Sequence, residues 1–133
     1  MLGDIIDASS LGGASFELGS VAFELTRIAT GQLDAVIEPG PRLIEQVPGM
    51  LAEFERVGGG SVLNNSPYDI AAAALILEEA GAVISDAYGR PLGACPLLGS
   101  GHEFQMSVVA AGNPTLHRAI LDAVDAGFAR VSG

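Results

Sequence analysis

Asp69-Ile70-Ala71-Ala72-Ala73-Ala74-Leu75-Ile76-Leu77-Glu78-Glu79-Ala80-Gly81-Ala82-Val83-Ile84-Ser85-Asp86 carries the reading of the fold. From Asp69 to Glu79 there is no glycine or proline, and the run of alanines favours helix. Gly81 stands where a left-handed residue closes a helix. Ala82 to Asp86 then reads as a strand. The first part is apolar nearly all round until Glu78, which predicts a helix buried on more than one side. Glu78 and Glu79 sit at the helix end where the macrodipole disfavours negative charge, and nothing in the sequence accounts for them.

The same alternation extends in both directions. Upstream, Leu18, Val21, Ala22, Leu25, Ile28 and Ala29 form a helical stripe closed by Gly31. Leu33, Ala35 and Ile37 then alternate with Asp34, Val36 and Glu38, a strand that Pro39-Gly40-Pro41 ends. Downstream, Met106 to Ala111 reads as a strand. Asn113-Pro114 opens a last helix with Leu116, Ile120, Leu121, Val124 and Phe128 on one face. The fold class expected is α/β, with helices packed on a mostly parallel or mixed sheet.

Between Glu38 and Asp69 lies a segment of a different kind. Arg42 to Val57 places Leu43, Ile44, Val47, Leu51 and Phe54 on one side, with Pro48 dividing it into two short helices. Gly58-Gly59-Gly60 is a flexible break, and Asn64-Asn65-Ser66-Pro67 a further loop. Residues 42–66 therefore form an inserted helical hairpin within a single domain spanning 1–133.

Composition narrows the partners. The chain has 133 residues, with 16 acidic against 6 basic side chains and a formal charge of −10. The basic residues, all arginine, stand apart at 27, 42, 56, 90, 118 and 130. Such a balance argues against nucleic acid and anionic membrane surfaces. Mean hydropathy is +0.42, yet the longest apolar run, Ile70 to Leu77, is far short of the roughly 18–20 residues of a spanning helix. No signal-peptide pattern is visible, and the lone Cys95 excludes a disulfide framework, so a cytoplasmic location is expected. Cys95, His102 and His117 match no metal-ligand spacing.

Three stretches together resemble the C-terminal half of the inositol monophosphatase family. Gly19-Ser20-Val21-Ala22 with Ile28-Ala29-Thr30-Gly31-Gln32-Leu33-Asp34-Ala35 is similar to its Gly-Ser-Ala-Ala helix and the turn after it. Tyr68-Asp69-Ile70-Ala71-Ala72-Ala73 is similar to its Trp-Asp-x-Ala-Ala-Gly signature. Glu79-Ala80-Gly81-Ala82-Val83 and Asp86-Ala87-Tyr88-Gly89-Arg90-Pro91-Leu92 resemble the strand and turn that come after that signature in the family. The resemblance implies a magnesium-dependent phosphomonoesterase acting on inositol or sugar phosphates, in which metal ions activate a water for in-line attack. It implies Asp69 as a metal ligand facing the substrate, and Glu38, Gly19, Ser20 and Val21 as groups that orient the polyol.

The residues also allow plainer roles. Asp69 would serve equally as a helix N-cap, Glu38 as a solvated strand-end carboxylate and Ser20 as an ordinary cap. The family's Asp-Pro-x-Asp-Gly-Thr metal motif belongs to an N-terminal half, and Asp4-Ile5-Ile6-Asp7-Ala8-Ser9 echoes it without the Pro, Gly or Thr. Tyr68 replaces the usual Trp, Ala73 the Gly, and Phe16 an Arg. With Asp69 alone in hand, this chain is expected to hold no Mg2+ tightly and to be inactive by itself. Its partners would be the missing N-terminal half or a second copy, the hairpin face then making a homodimer. The rival reading is a non-catalytic interaction or oligomerisation module.

Overall fold

The computed structural model describes residues 15–131. In chain order these form α1 (Val21–Ala29), β1 (Ala35–Glu38), α2 (Gly40–Gln46), α3 (Met50–Val57), α4 (Pro67–Glu79), β2 (Val83–Ser85), β3 (Val108–Ala111) and α5 (Pro114–Val131). Two 3-10 turns, Leu92–Ala94 and His102–Phe104, punctuate the long connection from β2 to β3.

The fold is α/β, and its three-stranded sheet has the order β1-β3-β2. Both pairings are antiparallel, which corrects the expected parallel or mixed sheet. The alternation of strand and helix did indicate two strands with a common direction. β1 and β2 do run the same way, but β3 enters between them from the other direction and takes all their hydrogen bonds. A strand's neighbour is fixed by the tertiary fold, and helix–strand alternation does not report it.

Register divides the core into two. Val36, Ala110 and Ile84 lie in one cross-strand row, while Ile37, Val109 and Ser85 lie in the next. Successive strand residues face opposite sides. One side, with Val36, Val108 and Ala110, packs on Val21, Leu25 and Ile28 of α1 and Ile70, Ala73 and Leu77 of α4. The other, with Val109 and Ala111, packs on Ile120, Leu121, Val124 and Phe128 of α5. β3 is buried along its whole length because both layers cover it.

The inserted segment is tied down more firmly than its glycines suggest. Leu43 and Val47 of the expected free face pack against the α5-side core. Arg42 is buried, and its Nη1 donates to the Ala87 carbonyl at 2.6 Å. The same guanidinium meets Asp125 at 2.7 Å and lies over the Phe128 and Tyr88 rings. Glu45 accepts from the Tyr88 hydroxyl. The hairpin's first helix is thus bolted to the domain, and only α3, none of whose residues is buried, is loosely held.

α4 differs from expectation in the opposite sense. Ile70, Ala73 and Leu77 are in the core, but Tyr68, Ala72, Leu75 and Ile76 are exposed. Only one side of this largely apolar helix is covered by the described residues. His117, by contrast, is buried, its Nε2 lying 2.9 Å from Ser85 Oγ across the β2–α5 contact.

Candidate functional site

Three features named from the sequence meet at one end of the sheet. Glu38 closes β1 opposite Val108, on the side that α1 and α4 cover. α1 returns into β1 through a tight turn in which the Gln32 and Leu33 amides both reach the Arg27 carbonyl, at 2.9 and 3.2 Å. Helix and strand therefore run in opposite directions, and the N-terminus of α1 comes to the Glu38 end. The Met106 amide donates to the Asn65 carbonyl at 2.8 Å. Met106 is two residues before Val108, about 7 Å along the chain, so the start of α4 is anchored at that same end.

Each start is built by its local sequence. Gly19 has φ of 76°, a left-handed conformation that turns the chain into α1. Ser20 is the N-cap, its side chain accepting the Phe23 amide at 3.4 Å. The Val21 and Ala22 amides have no intrahelical acceptor, as in any first turn, and are the donors this end can offer. At α4 the N-cap is Ser66, which corrects the N-cap reading of Asp69. Asp69 stands three residues further on, its Oδ2 accepting the Ser66 amide at 2.8 Å. It supplies one arm of a capping box and is otherwise exposed. Pro67 at the first helical position shifted the start upstream.

The electrostatics at this end are acidic. Burial pushes the Glu38 carboxyl above its ordinary value, and the nearby Glu17 and Glu24 carboxylates push it further. Glu24 is buried in the first turn of α1 and folds back to accept the Leu18 amide at 2.8 Å. Neither Glu17 nor Glu24 stands out in the sequence, where each reads as a solvated helix-start acid. The site therefore pairs backbone donors at the α1 start with carboxylate acceptors, a set suited to a neutral polyhydroxylic ligand whose hydroxyls both donate and accept.

The inserted segment borders this end. Gln105 Nε2 donates to the Val62 carbonyl at 2.8 Å, beside the Met106–Asn65 bond. Asn64 packs so closely on Gly40 that a Cβ there would lie 2.3 Å from its Oδ1. A side chain at Gly40 would displace the Asn64 amide, and the strap 62–66 crosses the sheet end between β1 and β3. Asp4 and Asp7 lie outside the described residues. Cys95 is half-buried beside α4, away from both histidines' contacts.

Among the described residues no group of three or more His, Cys, Asp or Glu side chains is placed to hold a metal ion. Magnesium takes octahedral oxygen ligation, usually from several groups. Asp69 offers one carboxylate, with one oxygen already engaged by Ser66. The described residues do not by themselves fit Mg2+.

A layered α/β domain of the phosphatase-like class accounts for both the packing and this polar sheet end. More narrowly, the chain belongs to the inositol monophosphatase family, whose sequence profile it matches over residues 6–127. Members of that family are generally magnesium-dependent. A solved structure of a hypothetical protein from Pyrococcus horikoshii, described as having similarities for inositol-1 monophosphatase, is similar at 27% identity with a TM-score of 0.51. The likeness covers 80% of this chain and 32% of that one, so this chain spans about a third of that protein's length. No curated protein matches the chain. Among the described residues no helix is long and apolar enough to cross a membrane.

Proposed function

We propose that this chain forms the polyol-orienting part of a magnesium-dependent phosphomonoesterase acting on inositol or sugar phosphates. One observation carries the reading: Glu38, the α1 start at Gly19, Ser20 and Val21, and the α4 start at Asp69 gather at a single sheet end. In this role Glu38 accepts a hydrogen bond from a ring hydroxyl, and the first-turn amides of α1 donate to its neighbour. Asp69 faces the same ligand with its free oxygen and contributes one ligand to a metal whose other ligands come from outside the described residues. The chain by itself then orients substrate without turning it over.

Calorimetric titration of the chain with inositol 1-phosphate, with and without Mg2+, tests this. Weak saturable binding that Glu38→Gln reduces supports it, as does the absence of magnesium-dependent hydrolysis above background. Binding indifferent to both Glu38→Gln and Asp69→Ala contradicts it.

A further inference from the structure

Glu24 is buried and has no part in the polyol contacts proposed above. It is 8% exposed, although Gly19, Ser20 and Phe23 around it are exposed. Among the described residues no arginine or histidine forms an ion pair with it. Glu38 lies near enough to feel its charge. Burying a carboxylate without a cation works against stability, so packing gives no reason for an acid here.

Its hydrogen bond does. In a capping box the acid stands at the third helical position and takes the amide of the N-cap itself, as Asp69 does for Ser66. In α1 that position is Phe23. Glu24, one residue further, reaches past Ser20 and Gly19 to the Leu18 amide at 2.8 Å. This is the only hydrogen bond that residues 15–19 make to another described residue. Phe16 and Leu18 are themselves exposed, so apolar burial holds the segment weakly. Because the bond skips the cap, the Gly19 and Ser20 amides keep no acceptor among the described residues, and with Val21 they make a short arch of donors. The arch turns on Gly19, at φ of 76°, and a glycine holds one conformation only when both its neighbours are fixed. Ser20 is fixed by its cap bond to Phe23, and Leu18 by Glu24.

We propose that Glu24 is a positioning residue for the polyol site. By holding Leu18 it fixes the Gly19, Ser20 and Val21 amides in the geometry that receives a ligand oxygen, and it acts through them without touching the ligand. What it supplies is an acceptor atom, and its charge is incidental. The inference rests on the reading of this sheet end as a polyol site and adds a residue that the reading does not name.

The test titrates the full chain with inositol 1-phosphate, followed by amide chemical shifts. Glu24→Gln keeps an acceptor for the Leu18 amide and should bind within about twofold of the wild type. Glu24→Leu fills similar space without an acceptor and should weaken binding roughly three- to tenfold, as for one lost hydrogen bond. Glu24→Ala makes the same deletion if leucine prevents folding, and urea unfolding shows which variants remain cooperative. Val21→Pro removes one donor of the arch at the first helical position, where proline suits a helix and where Ser20 before it is already extended. If Glu24 works through the arch, its deletion should weaken binding less in the Val21→Pro background than in the wild type. A residue that only supports the fold gives the same loss in both. The inference is overturned if the deletion leaves binding unchanged, if Glu24→Gln loses as much as the deletion, or if the losses are fully additive with Val21→Pro. Where Glu38→Gln weakens binding and the Glu24 deletion does not, the positioning role alone fails. Where the wild type shows no saturable binding, the polyol site fails and this inference with it.

Discussion

Arg42 and Ala87, 45 residues apart, are joined by a 2.6 Å hydrogen bond from a buried guanidinium to a backbone carbonyl. That bond decides how the insertion behaves. The partner carboxylate on Asp125 is 62% exposed, so the ion pair itself adds little. The anchoring comes from satisfying a buried carbonyl and from stacking on Tyr88 and Phe128. Arg42→Leu should therefore destabilise the domain by about 1–3 kcal/mol for the orphaned carbonyl alone. Arg42→Lys should recover only part of it, because an ammonium cannot lie flat between two rings. Urea unfolding checks both. A loss under about 0.5 kcal/mol, within the range of ordinary surface changes, would show that the bolt is idle.

Acid should loosen the β2–α5 contact through His117. Burial holds its pKa below the ordinary 6.5, and the neighbouring Arg118 charge acts in the same sense, against a backbone bond to Val109. The folded state thus prefers the neutral ring, while the unfolded chain binds a proton near 6.5. The stability this preference contributes is fully present above about pH 6.5 and is lost as pH falls from there through the folded-state value. The urea midpoint should decline over that window in the wild type and stay flatter in His117→Gln. A midpoint that rises on acidification there would reverse the sign.

Glu38 should show the opposite linkage. Its folded-state pKa is raised, so its favourable contribution is fully present below the unfolded value near 4.5 and is lost as pH rises through the folded value. At neutral pH the ionised carboxylate, half-buried near Glu17 and Glu24, is a local cost. Glu38→Gln should stabilise the chain slightly at pH 7, by less than about 1 kcal/mol because solvent screens the group. The same change should weaken polyol binding. Greater stability with unchanged binding would remove Glu38 from the proposed site.

Much of this was legible in the sequence, for reasons that differ by element. α1 and α5 are visible because apolar spacing and caps agree, as at Asn113, whose Oδ1 accepts the Leu116 amide at 2.9 Å; α4 is visible because its run of alanine and leucine holds no glycine or proline. β3 between β1 and β2 was not, since local patterning carries no information on which strand a third one joins. Asp69 falls on the expected helix but at its third position rather than at the N-cap, because Ser66-Pro67 is itself a complete start signal. Arg42 gives no sign in the sequence. A single arginine after Pro-Gly-Pro reads as solvated, and its burial depends on Phe128 and Ala87 from distant parts of the chain.

Asp69 should matter modestly to the fold. Its removal in Asp69→Ala takes away one bond to the Ser66 amide and a negative charge from the first turn of α4, worth about 0.5–2 kcal/mol together. Thermal melts should show the loss with cooperativity retained. A loss well above that range would mean that Asp69 holds tertiary structure, and its role as a ligand-facing group would then have no support.

If one sheet end gathers the polyol-binding groups, amide chemical-shift mapping reads it directly. Titration of the isotope-labelled chain with inositol 1-phosphate should move the amides of Gly19, Ser20, Val21, Glu38 and Asp69 together, along one saturation curve. Those of Tyr88 and Arg90, on the turn held by Arg42, should stay in place. Shifts centred on that turn or on α3, with Gly19 to Val21 and Glu38 unmoved, would contradict the proposed site.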